Sequence, residues 1–185
     1  MRTRLFAVAM AAGLALAGTA AAQTREENAE RCRSANPDLS IGACTALIQS
    51  GHESTESLAI AFNNRGNAYL NKGDTEHALQ DLNQAIQLSP NYATAYYNRA
   101  IAYDRKGQSE LAIRDYDQAI RLKPDYAAAY NNRGSAHDDL GHYGQAIRDY
   151  DAAIRLDPAN GMAFNNRGVS YKNLGQYVRA IADYD

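Results

Sequence analysis

A repeat of 34 residues constrains this chain more than any other feature. Residues 93–126 and 127–160 align without gaps and are identical at 19 of 34 positions. A fixed period of about 20 to 50 residues is the signature of a solenoid, in which each unit stacks only on its neighbours. We therefore divide the chain into units 1 to 4, at residues 59–92, 93–126, 127–160 and, incompletely, 161–185.

Each unit carries signals for two helices, a first and a second. A glycine stands between them in every unit, where a left-handed cap ends a helix, and the second helix is predicted to end before a Ser-Pro, Lys-Pro or Asp-Pro pair. The turn residues are Gly73, Gly107, Gly141 and Gly175, and the predicted helix ends are Leu88, Leu122 and Leu156. The sequence therefore predicts an all-α fold, an α-solenoid of stacked antiparallel helix pairs.

The recurring residues resemble the tetratricopeptide repeat (TPR), a 34-residue helix-turn-helix unit. In unit 3 the pattern reads Tyr130, Gly134, His137, Ala146, Tyr150, Ala153 and Pro158. The chain departs from the family pattern because it has Arg within an Asn-Arg-Gly or Asn-Arg-Ala run where Leu is usual. The resemblance implies a TPR superhelix whose first helices line the concave side, and a scaffold for protein interaction.

The N-terminus has the three parts of a secretory signal peptide. Arg2 and Arg4 precede an apolar run, and small residues end at Ala22. We expect residues 1–22 to be cleaved after Ala22, which would place the mature protein in the periplasm or outside the cell. The apolar run is several residues shorter than the roughly 20 needed to span a bilayer, so membrane insertion is not expected after signal removal.

Residues 23–56 are predicted to form a degenerate capping hairpin and a linker. Asn36-Pro37-Asp38 indicates a turn, a helix is expected over 39–50, and residues 51–56 are expected to form the linker. An atypical unit is expected at the end of a repeat array. Cys32 and Cys44 are the only cysteines, and in an oxidising compartment this pair predicts a disulfide.

The predicted binding surface is the face of the first helices that lines the concave side. The sixth residue of every unit is an asparagine, and a row of amides suits the backbone of an extended peptide because each has a donor and an acceptor. The predicted peptide-binding residues are Asn64, Asn98, Asn132 and Asn166, flanked by Asn63, Tyr97, Asn131 and Asn165. The row is similar to the asparagine ladder of the superhelix in O-linked N-acetylglucosamine transferases. Alternatively, each Asn hydrogen-bonds its neighbours along the stack.

The ninth and twelfth residues of each unit are also predicted to face the groove by their helical spacing. The ninth residues are Asn67, Ile101, Ser135 and Val169. The twelfth residues, predicted to face the groove, are Leu70, Asp104, Asp138 and Lys172. Because Lys172 is the only cation among the assigned positions, we do not expect the clamp with which some family members hold a terminal carboxylate.

Arginine recurs in phase with aspartate, sixteen residues later. The pairs are Arg65 and Asp81, Arg99 and Asp115, Arg133 and Asp149, and Arg167 and Asp183. The arginines could form an anion-binding row, but ion pairing between the two helices is the simpler interpretation, because a buried charge needs a partner.

No motif for catalysis, metal binding or cofactor binding is present in the sequence. Removing residues 1–22 takes away two arginines and no acids, so the formal charge falls from −2 to about −4, and no basic stripe favours nucleic acid. The sequence therefore predicts a non-enzymatic adaptor that binds a protein or peptide partner and needs no cofactor. The alternative is a structural module that associates end to end through unit 4, where the pattern stops before its period is complete and Ile181 and Tyr184 lack a capping helix.

Overall fold

The structure, a computed structural model, describes residues 24–184. Ten helices and no strand occur within these residues. The helices are α1 (residues 24–31), α2 (Pro37–Ser50), α3 (Thr55–Asn71), α4 (Thr75–Leu88), α5 (Ala93–Arg105), α6 (Ser109–Leu122), α7 (Ala127–Asp139), α8 (Tyr143–Leu156), α9 (Gly161–Asn173) and α10 (Tyr177–Tyr184). The predicted signal peptide lies outside the described residues. No helix within them is both long and apolar enough to cross a membrane.

The helices pair as the period predicts. Each repeat consists of a first and a second helix, as in α5 with α6 and α7 with α8, and each second helix also packs against the first helix of the following repeat. The predicted all-α solenoid is therefore confirmed.

The turn inside each repeat depends on glycine. Gly73, Gly107, Gly141 and Gly175 have φ angles of 81°, 68°, 73° and 73°, a region that residues with a side chain rarely adopt. The second helices end at Leu88, Leu122 and Leu156, as predicted. The first helices of units 2 to 4 begin with the first residue of the unit.

Two boundaries in the N-terminal hairpin differ from the prediction. The helix expected from Leu39 begins at Pro37, because the side chain of Asn36 accepts hydrogen bonds from the backbone N–H groups of Asp38 and Leu39. Proline fits the first helical position, whose N–H has no partner inside the helix. Helix α3 begins at Thr55, within the predicted linker, because Ser54 caps it.

The N-terminal hairpin is joined by a disulfide. The sulfur atoms of Cys32 and Cys44, the predicted pair, lie 2.01 Å apart, and both residues are buried. Arg25 Nε also lies 2.6 Å from Glu53 Oε1, which ties α1 to the connection between α2 and α3. The hairpin is therefore held both within itself and to the segment that enters repeat 1.

A contact between the twelfth and twenty-fourth residues joins the two helices of a repeat. In unit 1 the pair is Leu70 and Leu82, which belong to one apolar cluster. In units 2 and 3 the tyrosine hydroxyl donates to an aspartate, from Tyr116 to Asp104 at 2.7 Å and from Tyr150 to Asp138 at 2.8 Å. The prediction that the twelfth residue faces the groove is therefore wrong for Leu70, which is 1% exposed because it packs against the second helix.

Candidate peptide-binding groove

The first helices form one side of the stack. Helix α3 contacts α5, α5 contacts α7, and α7 contacts α9, whereas no comparable contact joins α4 to α6 or α6 to α8 in residues 24–184. The first helices are therefore closer together than the second helices, which makes their free face the inner, concave side. We call this face the groove.

The arginine of each repeat fastens the two helices behind the groove. Arg133 donates from Nε to Asp149 Oδ2 at 2.8 Å and from Nη2 to Asp149 Oδ1 at 2.5 Å. The same two-bond pairing occurs between Arg65 and Asp81, Arg99 and Asp115, and Arg167 and Asp183. The predicted ion pairs are confirmed.

The same arginines also reach the preceding repeat. Arg133 Nη1 donates to Asp117 Oδ1 at 2.5 Å, and Arg167 Nη1 donates to Asp151 Oδ1 at 2.5 Å. In the two earlier interfaces the acceptor is neutral, Asn83 for Arg99 and Thr45 for Arg65. Each guanidinium therefore bonds three acceptors within the stack, which argues against the alternative anion-binding row.

The asparagines of the groove are connected from repeat to repeat. Asn98 Nδ2 donates to Asn63 Oδ1 at 2.9 Å, and Asn166 Nδ2 donates to Asn131 Oδ1 at 3.3 Å. Tyr97 replaces the asparagine of unit 2, and its hydroxyl accepts from Asn132 Nδ2 at 3.1 Å. The sixth residue of a repeat thus bonds the fifth residue of the repeat before it, as the alternative interpretation of the row describes.

The predicted peptide-binding residues differ in how far they are exposed. Asn63, Asn98 and Asn131 are buried, at 3%, 6% and 7% exposure, whereas Asn165 is exposed. The half-buried members are Asn64, Asn132, Asn166 and Tyr97. A side-chain amide has two N–H groups and an acceptor oxygen. Asn132 donates to Tyr97 and accepts from Asn131, and Asn166 donates to Asn131, so each keeps one N–H group for a ligand.

An aromatic cluster replaces part of the asparagine row in repeat 2. The ring of Tyr97 lies 4.7 Å from that of Tyr126 and 6.0 Å from that of Tyr116, measured between centroids. Sequence reasoning did not assign Tyr126 or Tyr92, whose hydroxyl accepts from Asn63 Nδ2 at 3.3 Å. The available signal was that units 1 and 2 end in tyrosine whereas unit 3 ends in Asn160.

Two equivalent aspartates near the groove have different surroundings. Asp138 accepts hydrogen bonds from the hydroxyls of Tyr150 and Ser170, and burial raises its pKa. Among the described residues, Asp104 accepts a side-chain hydrogen bond only from Tyr116 and its buried Oδ1 has no partner, because Ala136 stands where the next repeat has Ser170. Burial raises the pKa of Asp104 to about 6.

The histidines near repeat 3 do not form a metal site with their neighbours. His137 Nε2 lies 3.9 Å from Asp149 Oδ2, its buried Nδ1 has no partner, and burial lowers the pKa of the ring. Within residues 24–184, no group of three or more His, Cys, Asp or Glu is placed to hold a metal ion. The groove therefore offers hydrogen bonds and aromatic contacts to a ligand.

Comparison with known proteins agrees with this geometry. Models described as TPR repeat or tetratricopeptide repeat match residues 66–107, 93–126, 127–160 and 149–182. A crystal structure of MamA is 25% identical, with a TM-score of 0.71 over 80% of this chain and 84% of that chain. A comparison with curated proteins finds no match.

Two similar structures are shorter repeat domains. The first TPR of Spaghetti (RPAP3), bound to the HSP90 peptide SRMEEVD, is 28% identical with a TM-score of 0.63, covering 66% of this chain and 96% of that chain. The Arabidopsis OM64 TPR domain is 27% identical with a TM-score of 0.63, covering 64% of this chain and 98% of that chain.

The stacked helix pairs and the amide-lined inner face define a helical repeat solenoid of the class that serves as protein-interaction scaffolds. Since matches to the repeat models extend from residue 66 to residue 182, the chain belongs to the tetratricopeptide-repeat family.

Proposed function

We propose that the protein is a non-enzymatic adaptor that binds an extended segment of a partner protein along the groove. The observation that carries this proposal is the continuous polar row of the first helices, in which consecutive repeats present amides in the same register. The RPAP3 domain, which is similar to this chain and is bound to a peptide, supports the same use of the fold.

The asparagine row has two tasks in this proposal. Buried Asn98 and Asn63 bond each other and set the distance between first helices, whereas half-buried Asn132 and Asn166 retain an N–H group for the backbone of the partner segment. Tyr97 and exposed Asn165 flank this backbone and contact side chains of the partner.

The test uses variants that remove amides from the groove while the fold is monitored. Partner proteins captured from a periplasmic extract are identified by crosslinking, and affinity for a peptide from one of them is measured by fluorescence anisotropy. We expect the double variant Asn132→Ala, Asn166→Ala to weaken binding about tenfold or more, since each lost hydrogen bond contributes about 1 kcal/mol. Asn91→Ala, at an exposed position between α4 and α5 and outside the groove, is the control. Unchanged affinity in a folded double variant would rule out the amide mechanism.

A second candidate function is self-assembly through repeat 4. On α10, Tyr177, Val178, Ile181 and Tyr184 are 64%, 84%, 59% and 49% exposed. Tyr150 of α8, which is equivalent to Tyr184, is 1% exposed because the following repeat covers it. In this candidate a second copy covers α10 in the same register. Light scattering should then show a concentration-dependent dimer that Ile181→Glu abolishes; a monomer at high concentration would eliminate this function.

We further propose that the protein is exported, with residues 1–22 as a signal peptide cleaved after Ala22. The disulfide between Cys32 and Cys44 supports an oxidising compartment, because such bonds are rare in the cytosol. N-terminal sequencing of the mature protein from a periplasmic fraction should begin at Gln23, and a start at Met1 would contradict export by cleavage.

A further inference from the structure

The groove continues into a pocket at its N-terminal end. A cavity of about 330 Å³ lies between the end of α1, the loop to α2 and the first helix of repeat 1. Asn64 and Asn67 of α3 line it, and these are the sixth and ninth residues of unit 1, which belong to the groove. Its polar lining also includes Arg33, Ser34, Ser40 and Asn71. The pocket is therefore part of the surface that the extended segment would occupy.

Three polar side chains of this pocket have no partner. Arg33, Asn67 and Asn71 are exposed, and their side chains make no hydrogen bond or ion pair within residues 24–184. By contrast, the nearby cations Arg25 and Lys72 are paired, with Glu53 and Asp38.

The pocket also has a definite charge. Its lining residues include no Asp or Glu. Glu26 and Glu53 line the neighbouring cavity that Arg33 also borders, but neither forms an ion pair with Arg33. One positive charge and free amide groups therefore face the cavity together.

We propose that this pocket binds one carboxylate, the side chain of an Asp or Glu in the extended partner segment; the inference rests on the peptide-binding function proposed above. A guanidinium presents two parallel N–H groups that match the two oxygens of a carboxylate. The one positive charge of Arg33 balances one carboxylate. A C-terminal Asp or Glu would bring two carboxylates, its side chain and its chain end.

The two free amides bind the backbone on either side of the acidic residue. Asn67 and Asn71 are four residues apart on α3, which is about 6 Å along a helix. Every second peptide group of an extended chain recurs at about 6.6 Å, a similar spacing. The segment therefore passes through the pocket, with its acidic residue at the N-terminal end of the groove.

The test compares two pools of fluorescein-labelled nonapeptides, acetylated and amidated, that are randomised except for a central Glu or a central Gln. We expect the wild-type protein to bind the Glu pool about tenfold more tightly at low salt, since hydrogen bonds to a charged group are about twice as strong as neutral ones. Arg33→Gln should remove this preference and leave affinity for the Gln pool unchanged. Arg114→Gln, on the second helix α6 and without a partner in the described residues, should keep the preference.

Each outcome distinguishes the pocket from the groove. If the wild-type protein binds both pools equally, the carboxylate site is wrong and the peptide-binding function stands. If neither pool binds although the peptide from a captured partner does, the carboxylate inference fails and the peptide-binding function stands. If that peptide does not bind either, the peptide-binding function fails as well. A preference for Glu that survives in Arg33→Gln would place the carboxylate elsewhere and overturn the inference. A third pool, with central Gln and a free C-terminus, identifies a terminal carboxylate; binding to it in place of the Glu pool would overturn the side-chain assignment.

Discussion

The disulfide between Cys32 and Cys44 occupies the place in the N-terminal hairpin where, in repeat 3, Asp138 accepts a hydrogen bond from the hydroxyl of Tyr150. Both pairs are 12 residues apart. Cys32 directly follows α1 and Cys44 lies in α2, whereas Asp138 lies in α7 and Tyr150 in α8. The N-terminal hairpin is therefore a repeat in which a covalent bond replaces the contact between the twelfth and twenty-fourth residues. Within residues 24–184 the hairpin stacks on α3, and its disulfide supplies a covalent link where the regular repeats have a hydrogen bond or an apolar contact.

Removal of the disulfide should loosen the N-terminal hairpin without unfolding the later repeats. The double variant Cys32→Ala, Cys44→Ala is expected to lower the stability of the hairpin by about 3 kcal/mol, the size associated with a loop of about 15 residues. In hydrogen exchange, residues 24–50 should lose protection while residues 127–160 keep it, because units of a solenoid interact only with their neighbours. Loss of protection throughout the chain, or none at all, would contradict this prediction.

The ion pair behind the groove should be needed for stability. Among the described residues, Asp149→Ala leaves Asp117 as the one carboxylate paired with the half-buried guanidinium of Arg133. We expect a loss of about 3 kcal/mol in the free energy of unfolding. Glu110→Ala, at an exposed position on α6, should change it by less than about 0.5 kcal/mol. Urea denaturation measures both variants, and equal losses of unfolding free energy would show that the Arg133–Asp149 pair does not stabilise the fold.

The unpartnered oxygen of Asp104 should be satisfied by one added hydroxyl. Ser170 of repeat 4 donates its hydroxyl to Asp138 of repeat 3, and Ala136→Ser would give Asp104 of repeat 2 the same donor. We therefore expect the free energy of unfolding to rise by about 1 kcal/mol at pH 8 and the pKa of Asp104 to fall. The control is Ala102→Ser, at the same position of repeat 2, where the neighbour is Leu70 and the buried hydroxyl gains no carboxylate. Thermal unfolding and a carboxyl NMR titration measure the two effects. A gain in both variants, or in neither, would exclude the proposed bond.

The raised pKa of Asp104 gives stability a definite pH dependence. Because its folded-state pKa is about 6 and a free aspartate titrates near 3.9, the folded state holds the proton more tightly, and stability falls as the pH rises from about 4 through 6. Partial solvent access reduces this contribution to about 1 kcal/mol. Asp104→Asn should flatten the difference in unfolding free energy between pH 5 and 7 relative to wild type, whereas Asp125→Asn, at an exposed position before α7, should not. A wild-type slope retained in Asp104→Asn would assign the dependence to another group.

The repeat fold could be predicted because its determinants are local and periodic. Gly107 follows the end of one helix and Pro124 follows the end of the next. Both residues end a helix through their own backbone geometry, so their effect does not depend on tertiary contacts. The pairing of Arg133 with Asp149 was also predictable, because two opposite charges recurred at one separation in every unit.

The groove was less predictable because exposure depends on how neighbouring repeats approach each other. Asn98 and Asn132 occupy the same position in their units, yet one is buried and the other half-buried, since one bonds Asn63 and the other bonds Tyr97. The role of Arg33 could not be predicted because it stands outside the regular units. Only the packing of the hairpin brings it to the same cavity as Asn67.

By itself the sequence determined the period, the helix pairs, their caps and the ion pairs between them, all of which follow from residue types at fixed spacing. Only the tertiary structure decided that Leu70 belongs to the core, that Asp104 has an oxygen without a partner, and that the hairpin closes a charged pocket at the end of the groove. The physical reason is that burial and hydrogen bonding depend on side chains from adjacent repeats. The distance between those repeats cannot be read from the residue spacing within one repeat.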